Sequence, residues 1–347
     1  MKLAAAHRTR AAAIALGLVL LAGLLLLGTH GCATSVAVQS SAAPPGALSL
    51  AAARQVFNTF VTTDDVARAA GDERLELTLV NNAQVPLTVA TYETAAYFGT
   101  PVPRYVYGTP RLYVPQMTGF PFWFAAVVRR APLGGGPART AIMVFTRPAP
   151  DDSWQLSLST LLLPGATLPP IAVDGSGHAT ALATFDHQLL VTPNSTGALQ
   201  ATVAEQGSDA PAAALIAPGP YTTGLHREIL IAKHREIRKG LAYDSLLDGT
   251  TFPLYALRTT DGGGLILYSL NRNTVILRKG KQGRQIEIPQ AFAPVLDAAD
   301  NLVIRFELDT TETYQFATKV PAKRSGGAPA IMRVIAADGG PTNAGGN

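Results

Sequence analysis

The pattern that most constrains the fold is repeated. Two segments about 130 residues apart each carry a Phe-Pro pair, an apolar run, three glycines and a second apolar run. In the first copy FWFA follows Phe120-Pro121, and AIMVF follows glycines 134–136. In the second copy LYA follows Phe252-Pro253, and LILYS follows glycines 262–264. An apolar run, a glycine-rich turn and a returning apolar run predict a β-hairpin. Two such copies predict a duplicated unit.

A helical pattern precedes each predicted hairpin. Residues 48–70 carry apolar side chains at helical spacing, which predicts a helix with one buried face. That face consists of Leu50, Ala53, Val56, Phe57 and Phe60. Residues 88–98 predict a second helix in the same half. In the second half, residues 225–239 carry a similar stripe, and Gly240 is placed to end that helix.

The predicted elements divide the chain into two α+β domains. Residues 48–164 form the first and residues 195–324 the second, joined by a linker at 165–194 in which Pro and Gly are dense. Further strands are predicted at 154–162, 273–278, 284–288, 302–308 and 313–320, with 273–278 paired to 284–288. The Gly-rich tail, 325–347, is expected to pair only through residues 331–335.

The N-terminus has the layout of an export signal. Lys2, Arg8 and Arg10 precede an uncharged apolar run at residues 11–28. A basic segment followed by an apolar segment predicts a secretory signal peptide, residues 1–31, and places the remainder outside the cytoplasm. The run also approaches the length that spans a bilayer, so an uncleaved N-terminal anchor is the alternative.

The single cysteine, Cys32, directly follows this leader. The segment Gly28-Thr29-His30-Gly31-Cys32 resembles the lipobox of bacterial lipoproteins, in which a peptidase cuts before a diacylglyceryl-modified Cys. Gly31 and Cys32 match that pattern, whereas Thr29 and His30 depart from it. The resemblance implies lipidation at Cys32, with residues 32–47 as a flexible tether and the membrane as a partner. The alternative is ordinary cleavage after Ala37, which would remove Cys32 with the leader.

The distribution of charge argues against a nucleic-acid partner. The pI of about 9.2 and the net charge of +4 suggest a basic protein. However, three of the bases lie in the leader, and the rest of the chain is nearly neutral. The mature protein therefore lacks the positive field that phosphate binding requires.

No familiar catalytic or metal-binding motif is present. His226 and His234 are eight residues apart, which is not the spacing of two ligands on one helix face. The segment Asp174-Gly175-Ser176-Gly177-His178 lacks the strand-to-helix context of a nucleophile elbow. The triple glycines are not followed by the Lys-Ser/Thr of a phosphate loop. The sequence predicts no metal ion, cofactor or catalytic residue.

Two features suggest binding. Aromatic side chains are dense in the first half, and they predict either the core of a small domain or an apolar ligand pocket. The candidate pocket residues are Tyr105, Tyr107, Tyr113, Phe122 and Trp123. The second feature is the basic run at residues 278–284, RKGKQGR. It predicts either a solvated turn or a contact with anionic lipid headgroups or cell-wall polymers.

The leader with its membrane-proximal Cys, followed by two halves that carry the Phe-Pro hairpin, resembles the uncharacterised envelope lipoproteins of high-GC Gram-positive (actinobacterial) bacteria. The resemblance covers roughly residues 48–320. It implies tandem cone-like domains of the cystatin-like or NTF2-like kind, in which helices pack on curved antiparallel sheets. It implies no reaction, because the NTF2-like fold includes both enzymes and inert modules.

These observations favour a non-catalytic lipoprotein on the extracytoplasmic face of the cell membrane, which binds a partner protein or an apolar small molecule. The alternative is an NTF2-like pocket enzyme of the isomerase, dehydratase or cyclase type. Such an enzyme would use a buried carboxylate as its general base, with Asp244 and Glu93 as the candidates.

Overall fold

The computed structural model describes residues 48–280, 285–296, 304–323 and 330–346, which belong to one compact unit, Ala43–Asn347. The predicted signal peptide, Cys32 and the tether lie outside the described residues. The α+β class is confirmed. The helices are α1 (Leu50–Ala70), α2 (Glu73–Thr78), α3 (Gln84–Phe98), α4 (Pro193–Gln206) and α5 (Thr223–Arg238). The strands are β1 (Tyr105–Tyr107), β2 (Arg111–Tyr113), β3 (Phe122–Pro132), β4 (Arg139–Arg147), β5 (Gln155–Leu161), β6 (Leu241–Gly249), β7 (Tyr255–Arg258), β8 (Gly264–Arg278), β9 (Glu307–Val320) and β10 (Arg333–Gly346).

Helix α1 forms where the apolar spacing predicts it, and its ends are capped. The hydroxyl of Ser49 accepts a hydrogen bond from the backbone N–H of Ala52, at 3.1 Å. At the other end Gly71 adopts a left-handed conformation that the backbone needs to leave the helix. Phe57 and Phe60 are buried against the first sheet, as predicted for the inward face.

The strands form two antiparallel sheets with the same strand order. In the first sheet the order is β1-β3-β4-β5, and β2 also pairs with β3. In the second sheet the order is β6-β8-β9-β10, and β7 also pairs with β8. Each sheet therefore has a long strand that pairs with two consecutive strands on one side and begins a meander on the other.

The repeated sequence pattern marks two real hairpins, but they are not equivalent in this topology. The first copy covers β3 and β4, whereas the second covers β7 and β8. By strand order, β7 and β8 correspond instead to β2 and β3. The shared glycines reflect turn geometry, because Gly135, Gly136 and Gly262 all have positive φ angles. The pattern is therefore one strand out of step with the structural repeat.

The sheets pack face to face between two layers of helices. One face of the first sheet covers α1, and the outer face of the second sheet covers α4 and α5. The two inner faces share a core that contains Tyr113 and Trp123 from the first sheet and Tyr255, Leu265 and Ala317 from the second. The layers are thus helix, sheet, sheet and helix. Strands β3, β4 and β8 are buried on both faces for this reason.

The first predicted domain contributes the first sheet, whereas the second sheet combines β6–β9 of the second predicted domain with β10 of the predicted tail. Both sheets bury side chains in the same core. Residues 165–194 cross this interface: Ile171 and Ala179 lie in the shared core. The division into domains at 48–164 and 195–324 stays a prediction.

Several strand predictions in the second half are wrong in extent. Residues 273–278 belong to the long strand β8, and residues 285–288 are not in a strand. The strands predicted at 302–308 and 313–320 are replaced over the described residues by one continuous strand, β9. The tail pairs much further than residues 331–335, because β10 runs to Gly346 along β9. The small side chains of β10 allow this close pairing. Ala344, for example, lies opposite Thr310 of β9 and is fully buried.

Candidate ligand-binding cavity

A cavity of about 380 Å³ lies between α3 and β10. Gln84, Leu87, Thr91 and Thr94 line one side, because side chains three or four residues apart share a helix face. Residues 338–341 of β10 line another side, and Arg68, Tyr105, Arg130 and Ser159 complete the wall. The cavity therefore uses elements from both sheets.

Two guanidinium groups contact one aromatic ring in this wall. The guanidinium carbon of Arg130 lies 4.6 Å from the centre of the Tyr105 ring, and that of Arg68 lies 5.5 Å away. Both distances fall in the range of cation–π interactions. Both cationic groups therefore pack against the same ring.

Arg68 is held by two buried carboxylates. Its Nε donates to Asp64 at 2.6 Å, and its Nη2 donates to Glu76 at 3.0 Å. A third donor, Nη1, bonds the carbonyl of Pro103 at 3.2 Å. Asp64 is one turn before Arg68 on α1, and Asp72 caps α2 so that Glu76 faces back to the same group.

Glu76 is fully buried, and burial raises its pKa to about 8. The negative charge of the nearby Asp64 acts in the same direction. At neutral pH the folded protein therefore holds this carboxyl mainly in its protonated form. The nearby Tyr92 also has a raised pKa, about 12, caused first by burial and then by Glu76. Among the described residues, Glu76 Oε2 and the Tyr92 hydroxyl have no hydrogen-bond partner.

Arg130 joins the two sheets at this cavity. It forms a salt bridge with Asp338 of β10, at 3.1 Å, and contacts the hydroxyl of Ser159 at 3.4 Å. Each guanidinium of the wall thus has a carboxylate partner. With Glu76 protonated, the charges of Arg68 and Arg130 are balanced by those of Asp64 and Asp338.

Two glycines give the β10 side of the cavity a bare backbone. Gly339 has a φ angle of 149°, and a Cβ atom there would lie 2.2 Å from the carbonyl oxygen of Thr313. Gly340 is adjacent and has open space where a side chain would be. Gly339 is therefore needed for close strand packing, whereas Gly340 is not.

The five predicted pocket residues lie in different places. Tyr105 borders the cavity, and Tyr107 packs edge-on against Phe57 at 6.1 Å. Tyr113 and Trp123 lie in the core between the sheets, where Trp123 contacts Tyr255 at 5.2 Å. Phe122 packs on Phe120, with the ring centres 4.3 Å apart.

The two acids considered as a general base are exposed. Glu93 lies on the outer side of α3, and Asp244 lies at a separate surface pocket beside His226. Neither borders the cavity of Arg68 and Arg130. No group of three or more His, Cys, Asp or Glu within the described ranges could hold a metal ion.

The sequence reasoning missed Arg68 and its two acids, although one signal was present. The buried stripe of α1 continues beyond Phe60 to Asp64 and Ala67. A carboxylate on an inward helical stripe predicts a buried partner. Glu76 carried no comparable signal, because α2 is only six residues long.

Comparisons with known proteins find one family model and several relatives that are named lipoproteins. A family model described as Domain of unknown function (DUF8094) matches residues 44–346. An "Uncharacterized lipoprotein" of Streptomyces avermitilis is 30% identical over 60% of this chain and 61% of its own length. Two proteins of Streptomyces coelicolor are also similar. "Uncharacterized lipoprotein SCO6871" is 30% identical over 75% of this chain and 77% of its own length. "Uncharacterized lipoprotein SCO2278" is 28% identical over 54% and 53%.

The matched region spans less than two thirds of the length of two of these three relatives. No solved structure matches this chain. Within the part of the chain that the structure covers, no helix is long and apolar enough to cross a membrane.

Proposed function

This chain belongs to the family described as Domain of unknown function (DUF8094), and we propose that it is a lipid-anchored envelope protein that binds a small polar ligand without transforming it. Its relatives are named lipoproteins. The leader followed by Cys32 supplies the export signal and the acylation site. The tandem cystatin-like or NTF2-like arrangement is a further proposal, which the equal strand order of the two sheets supports.

The observation that carries the ligand proposal is the matched charge of the cavity. Arg130 is paired with Asp338, and Arg68 is paired with Asp64. Glu76, the second carboxyl that contacts Arg68, adds little charge at neutral pH because burial raises its pKa to about 8. An ion that entered the cavity would lose its hydration shell and would find no unpaired charge to bind. Its transfer from water into the cavity would therefore be unfavourable. An uncharged ligand avoids this cost. The ligand class is therefore uncharged and polar.

The remaining hydrogen-bonding groups favour a molecule rich in hydroxyl groups. A guanidinium has five N–H donors, and Arg68 uses three of them on the protein groups described above. The hydroxyl-bearing side chains Thr94, Thr100 and Ser159 also border the cavity. A volume of about 380 Å³ is within the range of small-molecule sites. A monosaccharide or disaccharide has the right size and the right groups.

The apolar ligand inferred from the aromatic residues fits this cavity less well. Of those five residues, Tyr105 borders it, and guanidinium groups contact its ring. A partner protein is a separate proposal, for which the cavity provides no argument. The enzyme alternative needs a carboxylate at the cavity wall that is free to accept a proton. Asp338 is at the wall but is paired with Arg130, and Glu76 lies behind Arg68.

The anchor is tested by fractionating cells that express the wild type or Cys32→Ser, with labelling by a radioactive fatty acid. We expect the wild type in the membrane fraction with label, and the variant in the soluble fraction without label. Equal distribution of both proteins and no label would contradict lipidation.

The ligand class is tested by isothermal titration with glucose, N-acetylglucosamine and trehalose as hydroxyl-rich probes. Acetate and phosphate are the anionic probes, and benzyl alcohol is the apolar probe. We expect binding of at least one sugar, and weakening of at least fivefold in Thr94→Val. The matched control is Thr202→Val on α4, whose hydroxyl bonds the carbonyl of Ala198 away from the cavity. Binding of an anionic or apolar probe in preference to all sugars would contradict this ligand class.

A further inference from the structure

One end of the second sheet collects basic and exposed apolar side chains from three separate elements. Helix α5 ends there at Arg238, shortly before Gly240. Strand β8 also ends there, at Arg278, and β9 begins there, at Glu307. Two backbone hydrogen bonds fix this proximity. Lys279 N–H bonds the carbonyl of Gly240 at 3.2 Å, and Arg278 N–H bonds the carbonyl of Phe306 at 2.9 Å. We name this surface the basic end; it consists of residues 235–239, 277–279 and 305–307.

Three large apolar side chains at the basic end face solvent. Phe306 is 63% exposed, Ile237 is 47% exposed and Leu277 is 42% exposed. Ile237 lies on α5, Leu277 lies on β8 and Phe306 directly precedes β9, so the fold, and not one apolar run, brings all three to the same end of the second sheet. Exposed apolar groups that cluster among polar ones are typical of protein or membrane contact sites.

Among the described residues of this surface and its surroundings, the bases outnumber the acids. The described bases are Arg235, Arg238, Lys239, Arg278, Lys279 and Arg305. The acids are Glu236, Glu307 and the neighbouring Glu287. Glu236 is buried and bonds Arg235 at 2.8 Å and Lys239 at 3.2 Å, which lowers its pKa against the opposing effect of burial. The described residues near Ile237, Leu277 and Phe306 therefore carry a surplus of positive charge.

We propose that the basic end docks on the anionic headgroups of the lipid bilayer, with Phe306, Ile237 and Leu277 entering the interface. Bases bind the negative surface of such a bilayer, while apolar side chains gain free energy by leaving water. Both kinds of group are present at this one surface. An anionic polymer would use the bases but would gain little from the three apolar side chains, so the lipid is the favoured occupant.

An anchor at Cys32 would hold Leu48 within roughly 55 Å of the membrane, because sixteen extended residues reach no farther. The docking surface itself does not depend on the anchor. It can therefore be measured in a protein without the acyl group, and its failure is distinguishable from failure of lipidation.

The test is cosedimentation of the chain from residue 32 onward, carrying Cys32→Ser, with two kinds of vesicle. One contains phosphatidylcholine alone, and the other contains equal parts of phosphatidylglycerol and phosphatidylcholine. We expect binding to the anionic vesicles, weakened by added salt, and much weaker binding to the neutral ones. Absence of binding to the anionic vesicles would overturn the proposal.

Two matched double variants distinguish binding through the basic end from a general effect of positive charge on the protein. Arg238→Ala with Lys279→Ala removes two exposed bases from the basic end, and we expect at least a tenfold loss of vesicle binding. Arg54→Ala with Arg74→Ala removes the same charge from exposed positions on α1 and α2, and we expect less than a twofold change. Equal losses in the two double variants would overturn the assignment to the basic end.

The apolar contribution is measured separately with Phe306→Ser, for which we expect at least a threefold loss that added salt does not reproduce. Thermal unfolding of each variant checks that the protein is folded. We expect little change in melting temperature, because the replaced side chains are exposed. If Phe306→Ser binds as the wild type does, and soluble glycerol-phosphate polymer competes fully with the vesicles, the occupant is an anionic polymer and the lipid proposal is wrong.

Discussion

Arg130 of the first sheet and Asp338 of the second form a salt bridge of 3.1 Å although 208 positions separate them in the chain. Arg130 also contacts the ring of Tyr105, which lies beside Arg68. One bond therefore connects the edge of the second sheet to the buried Asp64–Arg68–Glu76 cluster of the first. The cavity lies between this cluster and β10, so its wall needs both the first half of the chain and the edge of the second sheet.

Because the two sheets share a core, we expect the protein to unfold in a single transition. Both tryptophans, Trp123 and Trp154, belong to the first half, and Trp123 also contacts Tyr255, so their fluorescence reports the first half together with its interface with the second sheet. Far-ultraviolet circular dichroism reports both halves. Coincident urea transitions by the two methods are the expected result, and two separated transitions would support independently folding domains.

Trp123 is expected to act as a core residue. Replacing it with Ala removes the contact with Tyr255 and leaves a cavity between the sheets. We expect Trp123→Ala to lower the free energy of unfolding by about 3–5 kcal/mol. The control is Tyr97→Ala, at a side chain that is 58% exposed, for which the change should be below about 0.5 kcal/mol. Equal effects in urea denaturation would refute this assignment.

Gly339 and Gly340 form a natural matched pair on the cavity wall. Gly339→Ala introduces a Cβ against the Thr313 carbonyl, at 2.2 Å, in a backbone conformation that Ala disfavours. We expect it to reduce stability by about 2 kcal/mol or more. Gly340→Ala meets no atom within 4 Å and should change the melting temperature little. The same loss in both variants would show that β10 does not pair in this register.

The raised pKa of Glu76 predicts a pH dependence of stability. The folded value is about 8 and the ordinary value is 4.5, so the folded state holds a proton that the unfolded state releases in this window. Protonation therefore stabilises the fold fully below about pH 4.5, and this stabilisation is lost as the pH rises toward 8.

Glu76→Gln removes this titration while keeping an oxygen for Arg68. Between pH 5 and pH 8 the free energy of unfolding of the wild type should fall relative to that of the variant, by about 1 kcal/mol or more. Urea denaturation at both pH values measures the difference, and other titrating groups cancel because both proteins contain them. Parallel pH profiles would indicate that Glu76 is ionised in the fold.

Local structure was predictable from the sequence where one pattern dominated. The stripe of α1 and the glycine turns of both hairpins gave elements close to the observed ones. The strand at 154–162 agrees with β5 in the same way. In each case the periodicity and the turn residues act over a few positions, which local reasoning captures.

The layering could not be obtained from the repeat, although the strands carried a hint. FWFAAVV in β3 and AIMVF in β4 are continuous apolar runs without alternation. Such runs are typical of strands covered on both faces. The pairing of β10 was missed because glycine-rich strands have little side-chain signal, and their partner is chosen by tertiary contacts.

The separation of Arg130 from Asp338 also has a consequence for the order of folding. Local contacts form early, while pairings across long stretches of chain require slow loop closure before they gain any free energy. A partly folded intermediate with one formed sheet would lack half of the cavity wall. Ligand binding should therefore appear only with the final docking of the sheets, which makes recovery of binding a sensitive kinetic probe of the last folding step.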